Sequence, residues 1–330
     1  MTTRRPQHIL ITGAAGFIGF HVANALLDKG IRVTGADNLN SYYPVPLKRD
    51  RLSLLTKREG FNFHQVDIAD HEALKSVPGA QDVDAIIHLA AQAGVRYSLD
   101  NPFAYGQSNL IGHLSVLELA RHAPNNPRLV YASSSSVYGA NTKAPFSEDD
   151  RVDHPVSLYA ATKRANEMMS ESYAKLYGMD LIGLRFFTVY GPWGRPDMAY
   201  WTFTRDIIEG RPIRVFNNGQ LQRDFTWIDD IVSGVVSTAL DAPRSANPAR
   251  HRIYNIGNNR PVELGRFIEV VESAVGKRAE KIMEPMQPGD VHATYANVDA
   301  LAHDYGFAPS TTLEDGIPRF VKWYRDYTKT

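Results

Sequence analysis

The sequence contains no cysteine among its 330 residues. Disulfides, thiolate metal ligands and cysteine nucleophiles are therefore excluded, which is typical of a protein that works in a reducing compartment. Lys plus Arg and Asp plus Glu both number 36, so the chain has no net charge that would attract a nucleic acid or an acidic membrane surface. The composition therefore disfavours nucleic acid as a partner.

Long apolar runs are missing as well. No stretch approaches the ~20 apolar residues that a membrane-spanning helix needs. Arg4 and Arg5 precede an apolar run at 8–12, but this run is too short for a signal peptide and leads into a glycine-rich turn, which favours a buried strand. We therefore expect a soluble cytoplasmic protein, whose 43% hydrophobic content suffices for one large or two modest domains.

Short β-branched segments alternate with helical patterns through the first half of the chain. The predicted strands are 8–12, 32–36, 61–66, 85–89, 129–132 and 181–186, and the predicted helices are 17–29, 47–58, 102–122 and 157–177. Such alternation is typical of βαβ units, whose right-handed crossovers build a parallel sheet covered on both faces. The predicted fold class is therefore α/β, with a doubly wound parallel sheet of the Rossmann type.

The second half is less regular. Pro192, Pro196 and Pro212, together with several glycines, divide it into short segments. Regular patterns resume at 228–240 and 252–256, and we expect these to return to the first lobe. The predicted division is a larger domain of residues 1–186 plus about 226–258, and a smaller α/β lobe of 187–225 and 259–330.

A glycine-rich turn follows the first predicted strand and opens a helix. Gly13, Gly16 and Gly19 are spaced GxxGxxG, and glycines there let the backbone approach a pyrophosphate at a helix N-terminus. The next strand leads to Asp37, at the ~20-residue offset of a carboxylate that binds an adenosine ribose. A solvated turn residue is the alternative for Asp37. An acid that binds the ribose would repel a 2′-phosphate and so favours NAD over NADP.

Two further patterns carry possible acid–base chemistry. Tyr159 and Lys163 lie four residues apart on a helix that Ser157 can cap, so their side chains share one face. A nearby ammonium favours the phenolate and tunes the tyrosine for proton transfer, although this spacing alone also occurs in surface pairs. The fifth strand ends in the serine-rich run 133–136, at the carboxyl edge of the sheet where ligands bind.

Together, the GxxGxxG turn, the Tyr-x-x-x-Lys pair and the serine-rich run resemble the extended short-chain dehydrogenase/reductase family. The resemblance implies that Tyr159, Lys163 and Ser134 are catalytic, that the larger domain binds NAD, and that no metal is needed. The implied cofactor-binding residues are Gly13, Ala15, Gly16, Phe17, Ile18, Gly19, Asp37, Asn38, Asp67, Ile68, Leu89, Ala90, Ala91, Asn109, Tyr159 and Lys163.

Within that family the chain looks like the UDP-glucuronate 4-epimerases, through segments 37–43, 93–98, 184–198 and 286–291. The related 4,6-dehydratases carry an Asp-Glu pair after the catalytic hydroxyl, and UDP-glucuronate decarboxylases carry a Glu before Val-Tyr-Gly. Ser135 and Ser136 stand at those positions here. The resemblance therefore implies oxidation and re-reduction at C4 of UDP-glucuronate, which gives UDP-galacturonate.

The residues that the resemblance assigns to the UDP-sugar are Arg96, Ser135, Ser136, Thr188, Arg195, Phe216, Arg223 and Asp290. Thr188 stands where UDP-galactose 4-epimerases typically carry Asn. Arg195 is a candidate to pair with the carboxylate of the uronate, and Arg96 is a second cationic candidate. For either arginine the alternative is a structural salt bridge or a solvated loop residue. The alternative functions are UDP-galactose or UDP-N-acetylhexosamine 4-epimerase, and an NAD-binding regulator without catalysis, although such regulators usually lose the Tyr or the Lys. The helices 102–122 and 157–177 resemble those of the family's homodimer interface.

Overall fold

The computed structural model describes residues 6–245, 250–286 and 293–330. Within them, seven strands form one parallel sheet. These are β1 His8–Thr12, β2 Arg32–Asp37, β3 Phe61–Gln65, β4 Ala85–His88, β5 Arg128–Ser134, β6 Leu181–Phe186 and β10 His251–Ile256. The strand order is β10-β6-β5-β4-β1-β2-β3. The predicted fold class is thus confirmed.

Helices cover both faces of this sheet, which explains why β1, β4 and β6 are buried along their whole length. They are α1 Phe17–Asp28, α2 Val45–Leu55, α3 His71–Lys75, α4 Tyr97–Asp100, α5 Pro102–Tyr105, α6 Gly112–His122, α7 Leu158–Tyr177 and α9 Ile228–Leu240. The Ser157 hydroxyl accepts a hydrogen bond from the Ala160 N–H and caps α7, as predicted. No helix in the described ranges combines the length and apolarity needed to cross a bilayer.

The predicted helix over 102–122 is confirmed as an unbroken helical stretch, but it is not α-helical throughout. A π-helical segment, Gly106–Ile111, separates α5 from α6. The Asn109 carbonyl inside it accepts a hydrogen bond of 2.7 Å from the Asn166 side chain of α7. This contact joins α7 to the wider turn of the π-helical segment.

The second half of the chain forms a smaller α/β lobe. Its strands are β7 Thr188–Tyr190, β8 Ile213–Phe216, β9 Gln222–Trp227, β11 Pro261–Glu263, β12 Lys281–Glu284 and β13 Ala293–Thr294, and its helices are α8 Ala199–Glu209, α10 Leu264–Val275, α11 Asp299–Tyr305 and α12 Leu313–Thr328. β9 pairs with β7, β11 and β13, β8 pairs with β12, and α10 packs between α8 and α12. In the chain, α9 and β10 lie between the two parts of this lobe, but both belong to the large sheet and its helices. α9 packs against α1, and β10 joins β6 of the large sheet.

Candidate active site

A cleft of about 440 Å³ opens at the carboxyl ends of the parallel strands, which is where doubly wound sheets bind ligands. Most of the predicted site residues line it. They are Gly13, Gly16, Phe17, Ile18, Gly19, Asp37, Asn38, Asp67, Ile68, Leu89, Ala90, Ala91, Ser134, Ser135, Ser136, Tyr159, Lys163, Thr188 and Arg195. The fold thus brings together residues that are far apart in the sequence.

The glycine-rich turn lines the cleft through Gly13, Gly16 and Gly19. Gly13 has a φ of 76°, and a Cβ there would lie 2.7 Å from the Ala90 nitrogen. A Cβ on Gly16 would lie 2.9 Å from the Gly13 carbonyl oxygen. Only glycines allow this turn to pass so close to its neighbours at the N-terminus of α1. The resulting backbone cradle fits the diphosphate of a dinucleotide.

Asp37 ends β2 beside this cradle and is buried. Its two carboxylate oxygens accept hydrogen bonds from the N–H groups of Ala15, at 3.2 Å, and Leu39, at 2.8 Å. Burial raises the pKa of Asp37, and the charge of Lys48 and the two backbone hydrogen bonds oppose that rise. Ala15 is not among the lining residues of the cleft, and it contributes through its backbone, by orienting Asp37.

Arg51 is a fully buried side chain of α2 that the sequence analysis missed. It donates a hydrogen bond of 2.9 Å to the Ala15 carbonyl in the glycine-rich turn. It also donates to the carbonyls of Trp193, at 2.6 Å, and Gly194, at 3.0 Å. The guanidinium of Arg51 therefore connects the glycine-rich turn to the segment that carries Arg195.

Tyr159, Lys163 and Ser134 all line the cleft. Lys163 is buried, which lowers its pKa from 10.5 to about 8, and its ammonium donates a hydrogen bond of 2.8 Å to the Ala132 carbonyl. Burial raises the pKa of Tyr159, whereas a hydrogen bond with Ser134 and the positive charge of Arg195 oppose that rise. The three groups that the sequence predicted as catalytic therefore share one site.

The serines of the run 133–136 have two different roles: Ser133 bonds to a buried ion pair, and the other three form the turn at the cleft. The Ser133 hydroxyl donates a hydrogen bond of 2.6 Å to Glu167, whose carboxylate forms a buried ion pair with Arg185 at 2.9 Å. The Ser134 hydroxyl accepts from the Ser136 N–H at 3.2 Å. This bond caps a short 3₁₀ turn, Ser135–Tyr138, and so fixes Ser135 and Ser136 at the cleft.

Thr188 and Arg195 also line the cleft, and the positive charge of Arg195 acts on Tyr159. Arg195 forms an ion pair with Asp197, with Nε 3.1 Å from one carboxylate oxygen and Nη2 2.5 Å from the other. Burial lowers the pKa of Arg195, but the hydrogen bonds and charge of Asp197 outweigh it, and the pKa lies above its usual value. The Tyr42 hydroxyl donates a hydrogen bond of 3.0 Å to the same carboxylate.

Asn109 and Arg96 lie outside the lining of the cleft as the described residues define it. The Asn109 side chain accepts from the Gln92 N–H at 2.8 Å and donates to the Gln92 carbonyl at 3.1 Å. It therefore fixes the loop after β4, where Gln92 itself lines the cleft. The Arg96 guanidinium lies 5.7 Å from the centre of the Phe216 ring.

The three remaining predicted residues, Phe216, Arg223 and Asp290, come from the second half of the chain. Arg223 lies on β9 and donates a hydrogen bond of 2.8 Å to the Gln222 carbonyl. Neither Arg223 nor Phe216 lines the cleft in the described part of the chain. Asp290 falls outside the described residues.

Several lining residues were not predicted as site residues, among them Tyr42, Lys48, Gly94, Phe187 and Met198. Tyr42, Gly94, Phe187 and Met198 lie in the segments that carry the family resemblance, which was the available signal. Lys48 had no such signal, because a lysine in a helical pattern usually faces solvent. Among the residues that the structure describes, no cluster of three or more His, Asp or Glu side chains could hold a metal ion.

The chain belongs to the NAD dependent epimerase/dehydratase family, whose model matches residues 9–257. It is 49% identical to a probable UDP-glucuronate 4-epimerase of Rhizobium meliloti over 96% of each chain. It is 46% identical to UDP-glucuronate 4-epimerase 2 of Arabidopsis thaliana, over 99% of this chain and 78% of that protein. The crystal structure of a Bacillus cereus UDP-glucuronic acid 4-epimerase in complex with UDP-glucuronic acid and NAD matches at a TM-score of 0.87 and 32% identity, covering 97% of this chain and 99% of that one. The resemblance drawn from the sequence is confirmed.

Proposed function

We propose that this protein is an NAD-dependent epimerase that inverts C4 of UDP-glucuronate to give UDP-galacturonate through a 4-keto intermediate. The observation that carries this proposal is that one and the same cleft is lined by the glycine-rich turn, by Tyr159, Lys163 and Ser134, and by Thr188 and Arg195. The relatives named above as UDP-glucuronate 4-epimerases support the choice of substrate.

In the proposed mechanism, Tyr159 removes the proton of the C4 hydroxyl, and Ser134 orients that hydroxyl by a hydrogen bond. NAD, held by the glycine-rich turn and Asp37, would supply the hydride acceptor and later the hydride donor. Lys163 favours the phenolate form of Tyr159 through its charge. The 4-keto sugar turns about its diphosphate linkage to present its other face, and Tyr159 then returns the proton.

We propose that Thr188 and Arg195 recognise the C5 carboxylate, with Ser135 or Ser136 supplying a further hydrogen bond. The fixed 3₁₀ turn presents serines at both positions where the related dehydratases and decarboxylases carry acids. Neither serine can protonate a leaving hydroxyl or a carbanion at C5 as a carboxylic acid does. This difference favours simple epimerisation over elimination of water or loss of carbon dioxide.

The UDP moiety is assigned to the smaller lobe as part of the same proposal. Arg223 would pair with the diphosphate, Asp290 would bind the uridine ribose, and Arg96 and Phe216 would flank the nucleotide. The cation–π contact between Arg96 and Phe216 supports a shared role for these two side chains. Residues 1–186 with about 226–258 would then bind NAD, and 187–225 with 259–330 would bind the nucleotide sugar.

The direct test is incubation of the purified protein with UDP-glucuronate, UDP-galactose and UDP-N-acetylglucosamine in separate reactions, followed by chromatography of the products. We expect UDP-galacturonate from the first and much slower turnover of the other two. Faster turnover of either neutral sugar would favour a hexose epimerase. Retention of NAD without conversion of any sugar would favour an NAD-binding regulator.

We propose a homodimer that forms through α5, the π-helical segment, α6 and α7. Phe103 is 88% exposed and Met168 is 60% exposed, and both lie on helices that pack against each other in one protomer. Large exposed apolar side chains on these helices support an interface there. Phe103→Glu should convert the dimer to a monomer in light scattering, whereas Met283→Glu, at a 56% exposed site on β12, should not. Dimers that survive Phe103→Glu would place the interface elsewhere.

The proposed location is the cytoplasm. A chain without cysteine has no disulfide to lose in a reducing compartment. Fractionation of the source cells would test the location directly.

A further inference from the structure

Among the residues that the structure describes, partners bind the guanidinium of Arg195 along one of its two hydrogen-bonding edges. Asp197 accepts from Nε and Nη2. Within the described ranges, no acceptor forms a hydrogen bond with Nη1, so the edge formed by Nη1 and Nη2 is open. Arg195 lines the cleft, whereas Asp197 does not. A planar guanidinium can bind a carboxylate along each edge, so Arg195 can keep Asp197 and still take a second anion.

Asp197 is itself fixed in place. The Tyr42 hydroxyl donates a hydrogen bond of 3.0 Å to its Oδ2. Burial raises the pKa of Asp197, but the hydrogen bonds and charge of Arg195 outweigh this effect and keep the pKa below its usual value. Burial and the Asp197 charge raise the pKa of Tyr42 to about 12. At neutral pH the pair is therefore a phenol that donates to a carboxylate.

The backbone that carries Arg195 is also held from two sides. Its N–H donates a hydrogen bond of 3.0 Å to the Tyr200 hydroxyl. The two preceding carbonyls, of Trp193 and Gly194, accept from the buried Arg51. Both the main chain and the side chain are thus fixed before any ligand binds, which reduces the rotamer entropy that a long arginine side chain loses when it is immobilised.

We propose that Asp197, supported by Tyr42, is a positioning residue that selects uronates: it holds one edge of Arg195 so that the other edge meets the C5 carboxylate of a UDP-uronate. The inference rests on the proposed function and extends it to a residue outside the cleft lining. Asp197 also repels a second carboxylate. Two anions on different edges of one guanidinium lie farther from each other than from the cation, so attraction exceeds repulsion.

The test compares the affinities for UDP-glucuronate and UDP-glucose, whose C5 group is neutral, by titration calorimetry of NAD-loaded protein in a Tyr159→Phe background that suppresses turnover. Asp197→Asn should raise the Kd for UDP-glucuronate about tenfold, as expected when a charge-assisted contact is weakened, and change that for UDP-glucose less than about twofold. With Tyr159 intact, the variant should raise KM about tenfold and keep kcat within about threefold. Tyr42→Phe should act in the same direction with a smaller effect.

Asp206→Asn is the matched control, because Asp206 accepts from Nε and Nη2 of Arg211, at 3.1 and 2.5 Å, away from the cleft. It should leave the Kd ratio of the two sugars unchanged. If Asp197→Asn left the ratio of the two Kd values unchanged, the proposal would be overturned. Tighter binding of UDP-glucuronate by this variant would also overturn it and would show that Asp197 competes with the substrate for Arg195. If Asp197→Asn does not fold, Tyr42→Phe decides. Failure of the parent enzyme to convert UDP-glucuronate would refute the proposed function, whereas the Kd ratio would still decide this inference.

Discussion

The ammonium of Lys163 donates its hydrogen bond to the carbonyl oxygen of Ala132, 2.8 Å away. Ala132 lies on β5, two residues before Ser134, so the lysine of α7 is fixed to the strand that supplies the serine. Within the described residues no direct hydrogen bond joins Lys163 to Tyr159, and in the proposed mechanism the lysine acts on the phenol through its charge. That charge depends on pH, because burial brings the pKa of Lys163 down to about 8.

This pKa predicts a pH-dependent stability. The unfolded chain binds the Lys163 proton more tightly than the folded chain, since the folded pKa is about 8 and the ordinary one is 10.5. Burial of the charged ammonium therefore lowers the free energy of unfolding by its full amount below pH 8. This loss of stability disappears as the pH rises to 10.5. At about 1.4 kcal/mol per pKa unit, the cofactor-free wild type should gain roughly 3 kcal/mol relative to Lys163→Met across this range.

Urea denaturation at pH 7.5 and 10.5 measures the difference. Lys175→Met changes a lysine of the same helix whose side chain is 75% exposed, and it should show no comparable pH dependence. A stability gap between wild type and Lys163→Met that does not vary with pH would contradict the lowered pKa.

Tyr159→Phe should lower kcat on UDP-glucuronate at least ~10²-fold, the usual contribution of general acid–base catalysis. The ring remains in place, so NAD should stay bound, which absorbance of the cofactor released by denaturation will show. Tyr173→Phe, on the same helix but bonded to Glu118, is the control and should keep its turnover. Near-normal turnover of Tyr159→Phe would remove this tyrosine from the mechanism.

Asp37 should determine the choice of cofactor. The purified protein is expected to contain nicotinamide cofactor and to need little added NAD. Asp37→Asn should weaken NAD binding and reduce the preference for NAD over NADP, because the charge that repels a 2′-phosphate is lost. Calorimetry with both cofactors measures this, with Asp28→Asn, at the exposed end of α1, as the control. An absolute requirement for NADP would refute the role of Asp37.

Thr188 and Arg195 should protect the reaction intermediate as well as recognise the substrate. Once C4 is oxidised, C5 lies between a ketone and a carboxylate, and this β-keto acid can lose carbon dioxide. The loss converts a localised charge into neutral gas and an enolate. Contacts that hold the carboxylate therefore stabilise the intermediate more than the transition state for its breakdown.

Thr188→Ala and Arg195→Ala should accordingly bind UDP-glucuronate more weakly and release a larger fraction of UDP-4-keto-pentose or UDP-pentose. A charge-assisted contact of about 1.5–3 kcal/mol corresponds to roughly a ten- to hundred-fold change in partitioning. Chromatography of the products gives the ratio. Lower activity without any rise in the pentose fraction would leave these residues a role in recognition only, and unchanged kinetics would exclude both from the site.

Local patterns in the sequence were sufficient for the parts of the molecule that depend on near neighbours. β1 and β6 have the predicted bounds, because apolar runs bounded by turn residues identify buried strands. Ser157 was identified as the cap of α7 from its position alone. Gly13 and Asp37, which line the cleft, could be selected as candidates because the spacing of a nucleotide turn is itself local.

The parts that failed depend on distant contacts. The π-helical segment is supported by Asn166, 57 residues from Asn109, and no local pattern marks it. Arg51 is separated by 36 residues from Ala15 and by 142 from Trp193, so its burial could not be inferred from an ordinary helical pattern. The sequence offered an ion pair and ligand binding as alternatives for Arg195, and the structure places its ion pair with Asp197 beside the cleft.

The contacts of Arg51 also bear on how this fold can be re-engineered. In the glycine-rich turn and in the segment before Arg195, the groups that Arg51 contacts are main-chain carbonyls, those of Ala15, Trp193 and Gly194. Replacing the side chain of Ala15 or Trp193 therefore removes no acceptor, provided that the backbone keeps its path. Gly194 must remain glycine, because a Cβ there would clash with the Tyr200 hydroxyl. Grafting the 192–198 loop of a relative with another sugar preference should accordingly succeed when the recipient retains Arg51 and the loop length, and should disturb the glycine-rich turn when either is changed.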